Sequence, residues 1–182
     1  MKKAIDPKEF QTIVNQKLDD GYSKQQVYDE LSDSYFDQNG LRIQLALIPY
    51  PVNKNRVKLL NNILLSMLVL TVLYKLLLAI DLIHTTSLSM LPLAMIYPVI
   101  NIALAYGVYK YSSSAYNYVV MLTLMGALRL VPQGAPLRGT SLLEFLFAIS
   151  IVVIALIIRF KIYPNFGFMT PEKDENGEII LD

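Results

Sequence analysis

Four ionisable residues, Lys75, Asp81, Arg129 and Glu144, stand inside or at the edges of an otherwise apolar stretch of this 182-residue chain. A cation at the centre of a membrane helix is disfavoured by ~2.5–3.5 kcal/mol on insertion scales, so each such group needs a partner, water or a route to the headgroups. Lys75 has two readings. Its long apolar stem can carry the ammonium outward to the interface, or it can join a structural ion pair. Alternatively, Lys75 and Arg129 gather near the outer membrane boundary as a site for an anion or lipid headgroup, with Glu144 or Asp81 as counter-ion. Pro98 and Asn101 mark a second polar point. Proline removes a helical hydrogen bond and kinks the helix, and an asparagine one turn on suits a contact between helices better than a substrate contact.

Other patterns carry less chemistry. His84 is the one histidine, and the chain has no cysteine, so thiolate metal sites, disulfides and cysteine nucleophiles are excluded. The turn that holds His84 supplies no second ligand, which makes an exposed loop residue the expectation. Asp174-Glu175-Asn176-Gly177 lacks the spacing of a calcium loop and reads as an acidic turn. No phosphate-binding loop, nucleophile elbow or zinc-protease motif occurs. No catalytic residue, cofactor or metal is therefore assigned, and the chain is not expected to be an enzyme.

These residues must be positioned by membrane helices. Of all residues, 54% are hydrophobic and 17% charged, against about a quarter charged in an ordinary soluble domain. The charge is segregated: residues 1–58 and 164–182 hold most of it, and 59–163 is nearly continuous apolar sequence. Such a block exposes far more apolar surface than a soluble monomer tolerates. Four spans are predicted, at about 59–83, 88–109, 115–131 and 141–160, divided by His84-Thr85-Thr86-Ser87, by Lys110 with Ser112-Ser113-Ser114, and by Pro132 to Pro136. The fold class is all-α, a polytopic membrane protein. Met67–Leu76 aligns with Met121–Leu130, so two tandem helical hairpins are one arrangement the sequence allows.

Basic residues fix an orientation. Lys54, Arg56 and Lys58 precede the first span, Lys110 follows the second, and Arg159 and Lys161 follow the fourth. Arg129 and Arg138 are the cations of the opposite side. The excess predicts both termini in the cytoplasm, and economy of design suggests a bacterial inner membrane. Tyr109, Tyr111, Tyr116, Tyr118 and Tyr163 suit an interfacial belt. No signal peptide or lipidation motif is read at the ends.

Residues 1–58 form a cytosolic module of three short helices and a basic connector. Asp6-Pro7 starts the first helix, with Phe10, Ile13, Val14 and Leu18 on one face and Gly21 at its end. Ser23 and Gln26 form a capping box for the second, which presents Val27, Leu31 and Tyr35. Asn39-Gly40 separates a third helix, Leu41 to Ile48, stopped at Pro49-Tyr50-Pro51. Such a module is too small to bury its own core and must pack on something else. Asp29, Glu30 and Asp33 on the second helix repel phosphates, which excludes nucleic acid as a partner. The tail, 164–182, is acidic and carries a hairpin signal at Asn176-Gly177, between Phe166–Met169 and Ile179–Leu181.

The expected role is a non-enzymatic membrane scaffold or assembly subunit that binds a protein through residues 1–50 and lipid through its spans, with homo-oligomerisation left open. The alternative is a small channel or transport component for an anion or small solute, suggested by Pro98 and by Lys75 with Arg129.

Overall fold

A computed structural model describes residues 6–35, 37–85, 91–129, 140–167 and 170–181. The predicted loop Pro132–Pro136, Arg138 and the Phe168-Met169 pair lie outside the described residues. The protein is all-α. In order, the helices are α1 (Pro7–Asp19), α2 (Lys24–Leu31), α3 (Gln38–Leu47), α4 (Pro51–Thr85), α5 (Leu91–Tyr109), α6 (Ser113–Leu128) and α7 (Thr140–Ile162), with a 3-10 turn at Ser32–Ser34.

The chain divides into two compact units. One joins the chain ends, Met1–Val57 with Arg159–Asp182; the other is Lys58–Ile158.

In the end unit, local signals set each helix boundary. Pro7 opens α1, where a missing N–H is harmless. Phe10, Val14 and Leu18 are buried on the predicted face, and Gly21 closes the helix at φ +92°. The Tyr22 N–H reaches the Lys17 carbonyl at 3.0 Å, and the Gly21 N–H reaches Leu18 at 3.3 Å, a Schellman closure that needs a left-handed residue. The capping box of α2 is present in full. Ser23 Oγ accepts from the Gln26 N–H at 3.2 Å, and Gln26 Oε1 accepts from the Ser23 N–H at 2.9 Å.

The third helix departs from the expectation. It begins at Gln38, and Asn39-Gly40 lies inside its first turn rather than before it. The reason is Asp37, an N-cap whose Oδ1 accepts the Gly40 N–H at 2.8 Å. A Cβ on Gly40 would fall 2.3 Å from Asp37 Oδ2, so glycine here makes room for the cap. The Pro49-Tyr50-Pro51 break is real, but Pro51 does more than end α3. It starts α4, and the basic connector is the first two turns of that helix.

The core of this unit collects Phe10, Val14, Val27, Leu41, Leu45, Val57, Ile162 and Tyr163 from both ends of the chain, with Phe166 and Leu181 from the tail. Phe10 and Tyr35 meet edge to face, with ring centroids 6.1 Å apart.

The tail turns at the predicted residues but with different pairing. Lys173 bridges Ile179, and Phe166 bridges Pro171 rather than facing 179–181. The Asp174 N–H donates to the Glu178 carbonyl at 2.8 Å and the Gly177 N–H to the Asp174 carbonyl at 3.0 Å. With Gly177 at φ +80°, this is a type I turn followed by a left-handed glycine, not a two-residue turn. Asp174 Oδ1 selects that longer loop by accepting the Asn176 and Glu178 N–H groups at 3.0 and 2.8 Å.

In the second unit, α4 and α7 are long and apolar enough to cross a membrane, over Pro51–Asp81 and Leu142–Ile162. Only 22% and 28% of their most apolar windows are buried inside the protein. Leu70, Leu73 and Leu77 of α4 and Leu143 and Leu146 of α7 lie on the surface. The apolar stretch described in α5, Pro98–Tyr109, and the 16-residue α6 are shorter. Among the described residues, two helices of spanning length, rather than four, are directly evident. His84 also moves: it lies in the last turn of α4 rather than in a loop.

Helices α5 and α6 form a tight hairpin. A Cβ on Gly107 would come within 2.5 Å of the Ala115 Cβ, so the two backbones approach more closely than a larger residue allows. The link repeats the Schellman closure of α1, with the Ser112 N–H on the Gly107 carbonyl at 2.9 Å and the Tyr111 N–H on Val108 at 3.0 Å. Here the left-handed position, φ 55°, is held by Tyr111 instead of glycine.

Candidate functional site

The functional surface with most structure behind it is the end unit, where buried cations organise the packing. Lys24, the first residue of α2, is buried. Its backbone N–H, one of the donors a helix start leaves unmatched, reaches Tyr50 Oη at 3.0 Å. Its Nζ lies 5.1 Å from the centroid of the same ring and 3.4 Å from the Ala46 carbonyl. Tyr50, between the two prolines, thus holds both ends of one lysine. Around this pair runs a cleft of about 50 Å³, walled by Ala46, Ile162, Phe166, Ile180 and Leu181. That volume admits a few water molecules and is far below a small-molecule pocket of roughly 300 Å³ or more.

Two arginines fasten the tail. Arg159, near the end of α7, is 1% exposed and donates from Nη2 to the Phe166 carbonyl at 3.1 Å and to the Gly167 carbonyl. Arg42 on α3 pairs with Glu178 at 2.8 Å, reaches the Ile179 carbonyl at 3.4 Å and lies 4.4 Å from the Tyr28 ring centroid. Burial by itself lowers the Arg42 pKa, but the Tyr28 hydroxyl and the Glu178 carboxylate outweigh it and hold the guanidinium above its ordinary value. Burial, followed by the Glu9 and Asp6 carboxylates, raises the Tyr35 phenol.

The second unit holds a polar contact in its core. Asn61 of α4 is 1% exposed, donates to the Val108 carbonyl at 3.3 Å and accepts from Tyr116 Oη at 2.7 Å. It ties α4 to both arms of the α5–α6 hairpin. Among the residues singled out from sequence, Glu144 lies exposed near the start of α7 and accepts from Tyr74 Oη at 3.1 Å. Lys75, the next residue on α4, is half-buried, and Asp81 is exposed further along the same helix. Arg129 caps the C-terminus of α6 on the surface. Pro98 is buried inside α5, with Asn101 half-buried one turn later.

Sequence reasoning missed Tyr74, Asn61, Tyr116, Lys24, Arg42 and Arg159 as organising residues. Asn61 offered a signal, as an amide in the first turn of the apolar segment. Lys24 and Arg42 offered none, because their partners come from Tyr50 and from the tail.

No protein-family model, curated protein or solved structure matches this chain. Fold and site define an all-α protein with two helices of membrane-spanning length and a compact unit built from both chain ends.

Proposed function

We propose that this protein is an integral membrane scaffold or assembly subunit that crosses the bilayer four times, keeps both ends in the cytoplasm and binds a protein partner through its N-terminal helices. The observation that carries the reading is the make-up of the end unit. Helix α4 begins in it and α7 ends in it. A compact unit occupies one side of a membrane, so a chain that leaves through α4 and returns through α7 makes an even number of passes. With α5 at 19 residues and α6 at 16, about 28 and 24 Å long, four passes fit a ~30 Å hydrocarbon layer with modest local thinning.

Lipid as the surrounding medium is supported by how little of α4 and α7 is buried within the protein. The core helix of a soluble domain would be mostly covered. The basic residues at the start of α4 and the end of α7 favour the cytoplasmic side for the end unit.

The partner-binding role is supported by α2 and the 3-10 turn after it, where Gln25, Asp29 and Asp33 are exposed while Val27 is buried. The test compares co-purification from cross-linked membranes for the wild type, for Asp29→Arg with Asp33→Arg, and for a chain lacking residues 1–50. Loss of the same partner in both variants is expected. A partner list unchanged by either variant would remove the scaffold reading, and a reporter fused after Asp182 that is active outside the cell would remove the even pass count.

A further inference from the structure

The end unit exposes apolar side chains next to cations that have no carboxylate against them. Ile43 and Leu47, one turn apart on α3, are 41% and 38% exposed, and Val52 in the first turn of α4 is 59% exposed. Phe160 near the end of α7 is 58% exposed. Beside them in the chain stand Arg56 and Lys161, both exposed. Lys17 pairs with Glu30 and Arg42 with Glu178, and neither pair includes these two cations. Acidic side chains of the unit stand at the end of α1, on α2, ahead of α3 and in the tail, at Asp19, Asp20, Asp29, Glu30, Asp37 and Glu178.

Helix α4 itself starts in the end unit and runs on as a spanning helix. Val52, Arg56, Leu59 and Ile63 fall at alternating spacings of four and three along α4, so they share one helix face, and all four are exposed. That face runs on through Ser66, Leu70, Leu73 and Leu77, the face presented outward within the spanning segment. Only Ile48, Pro49, Tyr50 and Pro51 separate Leu47 from Val52.

We propose that Ile43, Leu47 and Val52, with Arg56 and Lys161, form a docking face that seats the end unit on the anionic headgroup surface of the membrane its helices cross. Two observations select lipid over a protein occupant. The cations complement acidic headgroups, and Val52 and Arg56 lie in the first two turns of α4, the helix that carries the chain into its spanning segment. Apolar side chains enter the boundary of the acyl region while Arg56 and Lys161 meet phosphates. The inference rests on the membrane reading above, and the test separates the two.

The absence of cysteine makes site-directed labelling direct. Full-length Ile43→Cys, Val52→Cys, Asp29→Cys and Leu70→Cys, each carrying an environment-sensitive fluorophore, are reconstituted into phosphatidylcholine vesicles with or without phosphatidylglycerol. Labels at 43 and 52 are expected to be quenched by headgroup-level spin-labelled lipid, more strongly with phosphatidylglycerol and less at high salt. The label at 29 stays in water and the label at 70 reports acyl chains. Arg56→Gln with Lys161→Gln is expected to reduce the phosphatidylglycerol preference about fivefold for each charge removed.

Labels at 43 and 52 that stay in water in both vesicles, while the one at 70 reports lipid, overturn the docking face and leave the membrane reading intact. Quenching indifferent to phosphatidylglycerol, or appearing only when a soluble protein is added, overturns it as well. A water-exposed label at 70 removes both.

Discussion

Arg42, in the third helix from the N-terminus, holds Glu178, four residues before Asp182, at 2.8 Å. The pair is asymmetric, since the arginine side chain is 14% exposed and the glutamate 60%. Solvent screens such a contact, so the ion pair alone contributes roughly 0.2–1 kcal/mol. Arg42 contributes more through its packing on Tyr28 and its bond to the Ile179 carbonyl. Glu178→Gln is therefore expected to lower unfolding stability by less than about 1 kcal/mol, and Arg42→Ala by about 1–2 kcal/mol. Chemical denaturation in detergent checks both values, and limited proteolysis of the tail should accelerate in the same order. Equal effects of the two variants would mean that the carboxylate, not the packing, fixes the tail.

Arg159 makes a harder demand, because it is buried and serves two carbonyls. Arg159→Met removes the guanidinium and leaves the Phe166 and Gly167 carbonyls without that donor. A loss of about 2–3 kcal/mol is expected, with amide exchange in 166–181 rising before that of α1–α3. Arg159→Lys should recover only part of it, since one ammonium cannot reproduce the guanidinium fork. Uniform exchange across the end unit in the methionine variant would argue against a local fastening role.

The α5–α6 hairpin tests close approach. Gly107→Ala places a Cβ 2.5 Å from that of Ala115, and the two helices must separate. A stability loss of about 1–3 kcal/mol is expected. Combining it with Ala115→Gly should restore most of the loss, because the pair then carries the same single methyl group. Failure of the double variant to recover would place the strain elsewhere.

Tyr35 supplies a pH signature. Burial, then Glu9 and Asp6, raises its phenol pKa in the folded chain. The folded state therefore holds this proton more tightly than the unfolded chain does. The resulting stabilisation is fully present below the ordinary phenol range and is lost as pH rises through the raised folded value. Tyr35→Phe should flatten the alkaline fall in stability, read by denaturant midpoints across that range. A fall as steep as in the wild type would reassign it to other groups.

How far the sequence could be read follows from how local each instruction is. Asp6-Pro7, Gly21 and the Ser23–Gln26 box act within one helical turn, and each does in the fold what its spacing predicts. Asn39-Gly40 misled because Asp37, an N-cap two residues earlier, took precedence over a common turn pair. Pro51 was ambiguous by nature, since the same ring that ends one helix is well suited to begin another. Asn176-Gly177 marked a turn correctly, but the Asp174 carboxylate selected the longer loop.

By itself, the sequence determined the all-α character, the apolar lengths of α4 and α7, the Gly21 closure of α1 and the capping box of α2, because these depend on hydrogen bonds and periodicity among near neighbours. Tertiary structure alone decided that both chain ends build one unit, that Lys24, Arg42 and Arg159 are held in it, and that Glu144 meets Tyr74. The contacts of Lys24, Arg42 and Glu144 join residues dozens of positions apart, and Arg159 reaches the tail across the turn that follows α7. Which distant groups meet is settled by the packing of whole helices, about which no local run of residues carries information.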